Sequence, residues 1–202
     1  MTPKFSGIAE DLGQHGYSVS EGLLSPTQVS ELAATARAHQ AQGLLVQART
    51  GKIKTENASL RGDSIGWLDE QSAEPPVIDC LAAFEALRLA LNEQLFMNVH
   101  EIESHFAAYP PGAVYQKHLD QFSTGPQVRQ LSLVLYLNEG WLDANGGSLR
   151  LYLDEATHEY VDVSPTAGRL VLFESSRFWH EVLPSDRQRL SLTGWFRTRT
   201  LF

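Results

Sequence analysis

An α+β fold, a double-stranded β-helix (jelly roll) core supported by N-terminal helices, is predicted by two features of the sequence. The first is a change of hydrophobic period: helical spacing dominates to about residue 97, and alternation with period two takes over from about residue 98. The second is a series of short alternating segments in the second half, NVHEIESHFAAY, RQLSLVLYLN, GSLRLYLD, HEYVDVS, GRLVLFE and RLSLTGWF, separated by turn signals such as PPGA, NGG and PSD. Strands gathered behind a helical portion favour a sheet sandwich buttressed by helices. The 202 residues show no internal repeat, low-complexity run or linker, so residues 1–202 read as a single domain. About 1–97 would be helical support plus a lid loop, and about 98–202 the jelly-roll core.

The elements follow from local chemistry. Ser25-Pro26 offers an N-cap followed by proline at the first helical position, where its missing N–H costs nothing. From there Val29, Leu32, Ala33 and Ala36 share a face, and Gly43 is a stop. A second amphipathic helix is predicted from about Val77 to Phe96, with Leu81, Phe84, Leu87, Leu91 and Leu95 at helical spacing and Cys80 as a small buried apolar residue near its start. Between the helices, TGKIKTENASLRGDSIGW is polar and reads as a long loop with short strand segments, a length associated with functional lids. In the second half, Leu131, Leu133, Leu135 and Leu137 face one side, and Ser132, Val134 and Tyr136 the other. Gly146-Gly147 read as a tight turn between strands.

Composition excludes some classes of function. With 43% hydrophobic residues and 20% charged, the chain is that of a globular protein. A formal net charge of −8 weighs against a nucleic-acid partner, whose affinity comes from Lys and Arg neutralising phosphates. The single cysteine, Cys80, excludes an internal disulfide and any multi-cysteine zinc site. No apolar run reaches the roughly 18–20 residues of a membrane helix, and MTPKFSGIAEDLGQHG lacks the layout of a signal peptide. The expectation is a cytoplasmic protein with no membrane partner, a monomer being favoured.

The chemistry is concentrated in HLD at 118–120. In a strand, residues two apart point to the same face, so His118 and Asp120 can hold one ion together. His180, at the end of a late strand pattern, is the third ligand candidate, because early and late strands of a jelly roll can lie across the barrel mouth from each other. Two imidazoles and one carboxylate on one face of an octahedral metal leave the other face open, as in non-haem Fe(II) oxygenases. Arg189 opens the alternating strand RLSLTGWF, and an inward guanidinium there requires an anion. Its fork matches a carboxylate, which makes Arg189 the anchor for the far end of a dicarboxylate ligand. The competing readings are a solvated His–Asp pair and a surface arginine among Arg187, Arg197 and Arg199. His15, His39, His100, His105 and His158 lack a carboxylate at ligand spacing and read as structural or surface residues.

YPPGAVYQKHLD, VLYLN, GGSLRLY, GRLVLFESSRFWHEV and RLSLTGWF resemble the catalytic core of the 2-oxoglutarate-dependent prolyl hydroxylases, above all those acting on the hypoxia-inducible factor and their bacterial relatives. The likeness spans roughly residues 61–197, RGDSIGW included. It implies iron ligands at His118, Asp120 and His180, which are then the catalytic centre, and a salt bridge from Arg189 to the 2-oxoglutarate C5 carboxylate. It also implies a contact from the Tyr136 hydroxyl to that carboxylate. Tyr109 corresponds to a cosubstrate-site tyrosine near the iron, with the stretch from it to His118 one residue shorter than in the family. Tyr115 and Trp195 match pocket-lining residues, and Arg61 and Asp63 the hinge of a loop that closes over the substrate peptide. The cofactors implied are Fe(II), 2-oxoglutarate as cosubstrate and O₂, with ascorbate as a supporting reductant. Related halogenating enzymes carry a small residue in place of Asp120, so its carboxylate favours hydroxylation. The activity implied is 4-hydroxylation of a prolyl residue in a protein, elongation factor Tu being a candidate and oxygen sensing a purpose, with 2-oxoglutarate decarboxylated to succinate and CO₂. The alternatives are the same chemistry on a small molecule, another residue or an alkylated nucleic acid, a non-catalytic 2-oxoglutarate or metal sensor, and a structural zinc protein. Zn(II), Mn(II) or Co(II) could occupy the same ligands in a purified sample.

Overall fold

Leucine at every second position from 131 to 137 decides which side of the main sheet is covered by helices. A computed structural model describes residues 5–48, 60–69, 71–121, 128–154 and 156–198. In chain order the elements are α1 (Ser6–His15), β1 (Tyr17–Ser20), α2 (Pro26–Ala41), β2 (Val46–Gln47), β3 (Ser64–Trp67), α3 (Pro75–Leu95), β4 (Glu101–Tyr109) and β5 (Tyr115–His118). There follow β6 (Arg129–Tyr136), a 3-10 turn (Asp143–Asn145), β7 (Leu149–Asp154), β8 (Glu159–Val163), β9 (Leu170–Glu174), β10 (His180–Val182) and β11 (Arg189–Arg197). A seven-stranded sheet has the order β1-β9-β6-β11-β4-β3-β2, and a four-stranded sheet the order β5-β10-β7-β8. Strand neighbours in both sheets pair antiparallel. This is the double-stranded β-helix expected from the run of short alternating segments.

Each face of the large sheet has its own core. Leu131, Leu133, Leu135 and Leu137 join Leu32 of α2 and Phe84 and Leu87 of α3 in one buried cluster, so the leucine face lies against the helices. Val134 and Tyr136, on the opposite face, pack with Leu149 and Leu151 of β7 and Val182 of β10 between the two sheets. The period-two pattern thus sorts the residues as predicted. In α2, Val29, Leu32, Ala33 and Ala36 are the buried residues. Its start is a capping box: Gln28 N donates to Ser25 Oγ (3.3 Å), and Ser25 N donates to Gln28 Oε1 (3.0 Å). In α3 the buried stripe is Val77, Cys80, Phe84, Leu87 and Leu91, while Leu81 and Leu95 lie at its edges. His39 of α2 meets Glu74, the N-cap of α3, at 2.8 Å.

Several elements differ from the sequence expectation. The first half supplies β1 and β2 to the large sheet as well as helices, while β3 is one of the short strand segments expected in the loop. β1 is an edge strand of four residues, too short to display a period. β5 and β10, with four and three residues, are likewise too short to stand among the alternating segments, and only the chemistry of His118 and His180 marks them. Gly146 and Gly147 do have positive φ, +70° and +73°, but they follow the 3-10 turn and are pressed against the Pro184–Ser185 backbone. A Cβ on Gly146 would lie 2.6 Å from Pro184 O, so close approach demands glycine there as much as backbone conformation does. Residues 49–59 and 70, most of the expected lid, lie outside the described residues. No helix among the described residues is long and apolar enough to cross a membrane.

The two faces make a stability prediction. Leu133→Ala removes a side chain with no exposed surface and should cost about 2–5 kcal/mol in urea unfolding. Leu142→Ala, at a position 66% exposed, should stay within about 0.5 kcal/mol of the parent. Equal effects at both positions would contradict the assignment of the leucine face as core.

Candidate metal centre

His118 and His180 face each other across adjacent strands. Their Cα atoms are direct partners in the β5–β10 pairing, so the two candidate ligands come from neighbouring strands of the small sheet and not from opposite sides of the barrel mouth. His180 opens β10 and does not end a strand. Asp120 lies two residues beyond the end of β5, so strand alternation alone does not place it. Its position comes from the large sheet: Ser132 Oγ on β6 donates to Asp120 Oδ2 at 2.6 Å, and Ser132 Oγ is 2.9 Å from Ser175 Oγ. The next residue is tied to the same place, with Gln121 N donating to Ser175 O at 3.2 Å.

The three side chains offer ligand atoms that all lie within 4.8 Å of one another. His118 Nε2 is 3.6 Å from Asp120 Oδ1, and His180 Nε2 is 3.5 Å from Asp120 Oδ2. Their other ring nitrogens are engaged: His118 Nδ1 contacts Gln116 O at 2.7 Å and His180 Nδ1 contacts Phe178 O at 3.1 Å. A carbonyl oxygen can only accept, so each Nδ1 carries a proton and each ring presents its Nε2 toward the carboxylate. Burial pushes the His180 imidazole down to about 4, with Asp120 opposing the shift, which keeps that ring neutral near pH 7. Burial would raise the Asp120 carboxyl, but positive charge on the side of His180 and His118, together with the hydrogen bond from the Ser132 hydroxyl, holds it well below the usual carboxylate range. With both Nε2 unprotonated, as ligation requires, two lone pairs face an anion, an arrangement that a cation among them stabilises. The donor set therefore fits a divalent transition metal held on one face, with imidazole and carboxylate ligands of the type that suits Fe(II). The Tyr115 ring stacks on His118 with centroids 3.6 Å apart and fixes that imidazole's plane.

Arg189 lies at the start of β11 and is 2% exposed. Its Nε donates to Gly147 O at 3.0 Å, which is the local use of the glycine pair. The guanidinium carbon is 5.1 Å from the Tyr109 ring centroid and 5.0 Å from that of Tyr136. No carboxylate pairs with Arg189 among the described residues, and the buried Tyr136 hydroxyl has no hydrogen-bond partner among them. Burial raises the Tyr136 pKa and Arg189 draws it back. A buried cation beside an unsatisfied hydroxyl fits the far carboxylate of an elongated diacid.

Arg61 and Asp63 form a buried fork on the pocket wall, in place of a solvated pair. Arg61 Nε donates to Asp63 Oδ1 at 2.7 Å and Nη2 to Oδ2 at 3.0 Å, with Asp63 fully buried. Burial disfavours the guanidinium charge, but the Asp63 carboxylate outweighs it and raises the Arg61 pKa. Gln47 Nε2 donates to the carbonyls of both residues, and Arg61 lies over the Tyr115 ring at 4.7 Å. Arg61, Asp63, Tyr109, Tyr115 and Trp195 line one pocket together with the His–Asp–His cluster. Arg189 and Tyr136 are not part of this lining, but Tyr109, which is, lies 5.1 Å from the Arg189 guanidinium. Of the remaining lining residues, His105 and Thr193 are the polar ones outside the predicted site, and His105, expected to be structural or at the surface, is buried on the pocket wall. A signal for it exists, since His105, Ala107 and Tyr109 alternate along β4 and share a face.

A family model described as the 2OG-Fe(II) oxygenase superfamily matches residues 104–197. The crystal structure of a Pseudomonas putida prolyl-4-hydroxylase superposes with a TM-score of 0.87 and 44% sequence identity, covering 96% of this chain and 100% of that one. The hypoxia-inducible factor prolyl hydroxylase of Caenorhabditis elegans is 26% identical over 96% of this chain, which spans 28% of that protein. Prolyl hydroxylase EGLN3 of Homo sapiens is 32% identical over 76% of this chain and 64% of its own length. The chain thus spans less than two thirds of either curated relative. Since the likeness to the bacterial enzyme runs the full length of that chain, this protein belongs to the prolyl 4-hydroxylase family of Fe(II)- and 2-oxoglutarate-dependent oxygenases.

Proposed function

We propose that the protein is a 2-oxoglutarate-dependent dioxygenase that 4-hydroxylates a prolyl residue in a protein substrate. The observation that carries this reading is a pair of unsatisfied sites linked by Tyr109, which lines the pocket of the triad and lies 5.1 Å from the Arg189 guanidinium. Three lone-pair donors converge at one end, and a buried guanidinium without a carboxylate lies beside an unbonded phenol at the other. His118 Nε2, the Asp120 carboxylate and His180 Nε2 would hold Fe(II); Arg189, Tyr136 and Tyr109 would hold 2-oxoglutarate. With both bound, the chemistry supplied is decarboxylation of 2-oxoglutarate by O₂ to succinate and CO₂, coupled to transfer of one oxygen atom into a substrate C–H bond.

The protein's own part is positional. Gln116 O and Phe178 O keep both imidazoles in the tautomer whose Nε2 can ligate, and Ser132 steers one carboxylate oxygen of Asp120. Arg189 orients a diacid by its far end, so the near end arrives in a fixed direction. Arg61 and Asp63 neutralise each other on the wall, leaving that wall without net charge toward a peptide. They would brace the segment that closes over the substrate, and Tyr115 and Trp195 would flank the target proline. The substrate we put first is elongation factor Tu, the candidate suggested by the family's bacterial branch, with oxygen sensing as the purpose. The single buried cysteine suits a reducing cytoplasm.

Two outcomes are expected. Incubated with Fe(II), 2-oxoglutarate and O₂, the protein should add the mass of one oxygen atom to a proline of elongation factor Tu, read by peptide mass spectrometry, with matching succinate. Oxidation confined to other residues, or succinate driven only by a small molecule, would move the substrate to another class. Arg189→Ala, which leaves a bound diacid without its counter-charge, should raise the 2-oxoglutarate requirement about 100-fold or more. Iron affinity should be unchanged in that variant, and equal loss of both would contradict the role given to Arg189.

A further inference from the structure

His105 is 1% exposed, and neither of its ring nitrogens has a hydrogen-bond partner among the described residues. Burial, reinforced by Arg61 and Arg129 and opposed by Asp120, pushes its pKa down to about 3. The ring is therefore neutral, with one N–H donor and one acceptor nitrogen. Leaving such groups buried and unmade costs about 1–3 kcal/mol each. The ring is packed against Trp67, centroids 4.8 Å apart, and Trp195, 5.4 Å apart, so it is held in place on the pocket wall and cannot swing out to water. It is not one of the groups that converge within 4.8 Å on the metal position.

The sheet register shows what passes beside it. Across β4, β11 and β6, Tyr109 pairs with Arg189; Ala107 pairs with Ser191, which pairs with Tyr136. The next row on this face is His105, Thr193 and Val134, and beyond it Trp195 pairs with Ser132, whose hydroxyl holds Asp120. Along the wall, the rows run from the guanidinium and phenol, through His105 and Thr193, to the metal side. A diacid anchored by Arg189 and chelating on the metal side would run past the middle row, which carries the unpartnered ring nitrogens of His105.

We propose that His105 is a positioning residue for the cosubstrate, its imidazole N–H donating to a carboxylate oxygen at the metal-chelating end of 2-oxoglutarate. The assignment rests on the dioxygenase reading above and adds to it a contact that fixes which way the chelating end is turned. Thr193, opposite His105 on β11, is the polar neighbour in the same row.

The test uses the full chain loaded with Zn(II), which binds imidazole and carboxylate without turnover. Calorimetry gives the 2-oxoglutarate affinity, and nitrogen NMR follows the histidine rings. His105→Phe keeps an aromatic ring between the two tryptophans and removes both nitrogens; His105→Gln restores a donor and an acceptor. The phenylalanine variant should bind 2-oxoglutarate about 10-fold more weakly, the glutamine variant should recover much of the loss, and zinc affinity should be the same in all three. In the parent, the His105 N–H resonance should move downfield when 2-oxoglutarate is added. Parent-like affinity in His105→Phe with an unmoved resonance overturns the role of His105 and leaves the dioxygenase reading standing. A zinc-loaded parent that binds no 2-oxoglutarate overturns both. If His105→Phe does not fold, the resonance in the parent decides alone.

Discussion

Three electron-rich groups held within 4.8 Å of one another repel, and much of the architecture around the site serves to keep them there. The repulsion is resisted from both sheets. Pairing of β5 with β10 sets the distance between His118 and His180, and the carbonyls of Gln116 and Phe178 fix which nitrogen of each ring faces inward. Asp120 is outside regular structure, but the Ser132 hydroxyl ties its carboxylate to the large sheet. The metal position is therefore a seam between the two sheets, stable only if both core layers hold their register. A cation there converts the repulsion into attraction, so binding of the metal and cohesion of the sandwich are linked.

The charges on this face of the large sheet follow the order of its rows. Asp120 is at one end and Arg189 at the other, with neutral His105 and Thr193 in the row between them. Arg61 and Asp63 cancel within a single fork, so they shape the wall without leaving a net charge on it. The glycine pair at 146–147 belongs to the same construction. Only a backbone without side chains can come close enough to Pro184–Ser185 to present Gly147 O to the Arg189 Nε.

Legibility in the sequence depends on the length of each element and the range of each interaction. The alternation of Leu131 to Leu137 with Ser132 to Tyr136 is long enough to fix both faces of β6 from the residues alone. The N-cap of α2 and the stripe of α3 are local, and are equally legible. Arg189 stands out because a charge inside an alternating apolar strand needs a partner. The strands that carry the two histidines are four and three residues long, below the length at which a period shows, so their adjacency and register are not legible. The placement of Asp120 depends on a hydroxyl twelve residues later in another sheet, which no local pattern encodes. His105 escapes for a different reason. A search for histidines with a carboxylate at ligand spacing passes over a ring whose significance is that it has no partner among the described residues.

The most direct measurement is an anaerobic titration of the Fe(II)-loaded protein with 2-oxoglutarate, followed by visible absorption. Chelation of the diacid to an iron held by His118, Asp120 and His180 should produce a metal-to-ligand charge-transfer band in the parent and none in Asp120→Ala. A folded, iron-loaded parent that shows no band would contradict the joint assignment of metal and cosubstrate to this seam between the sheets.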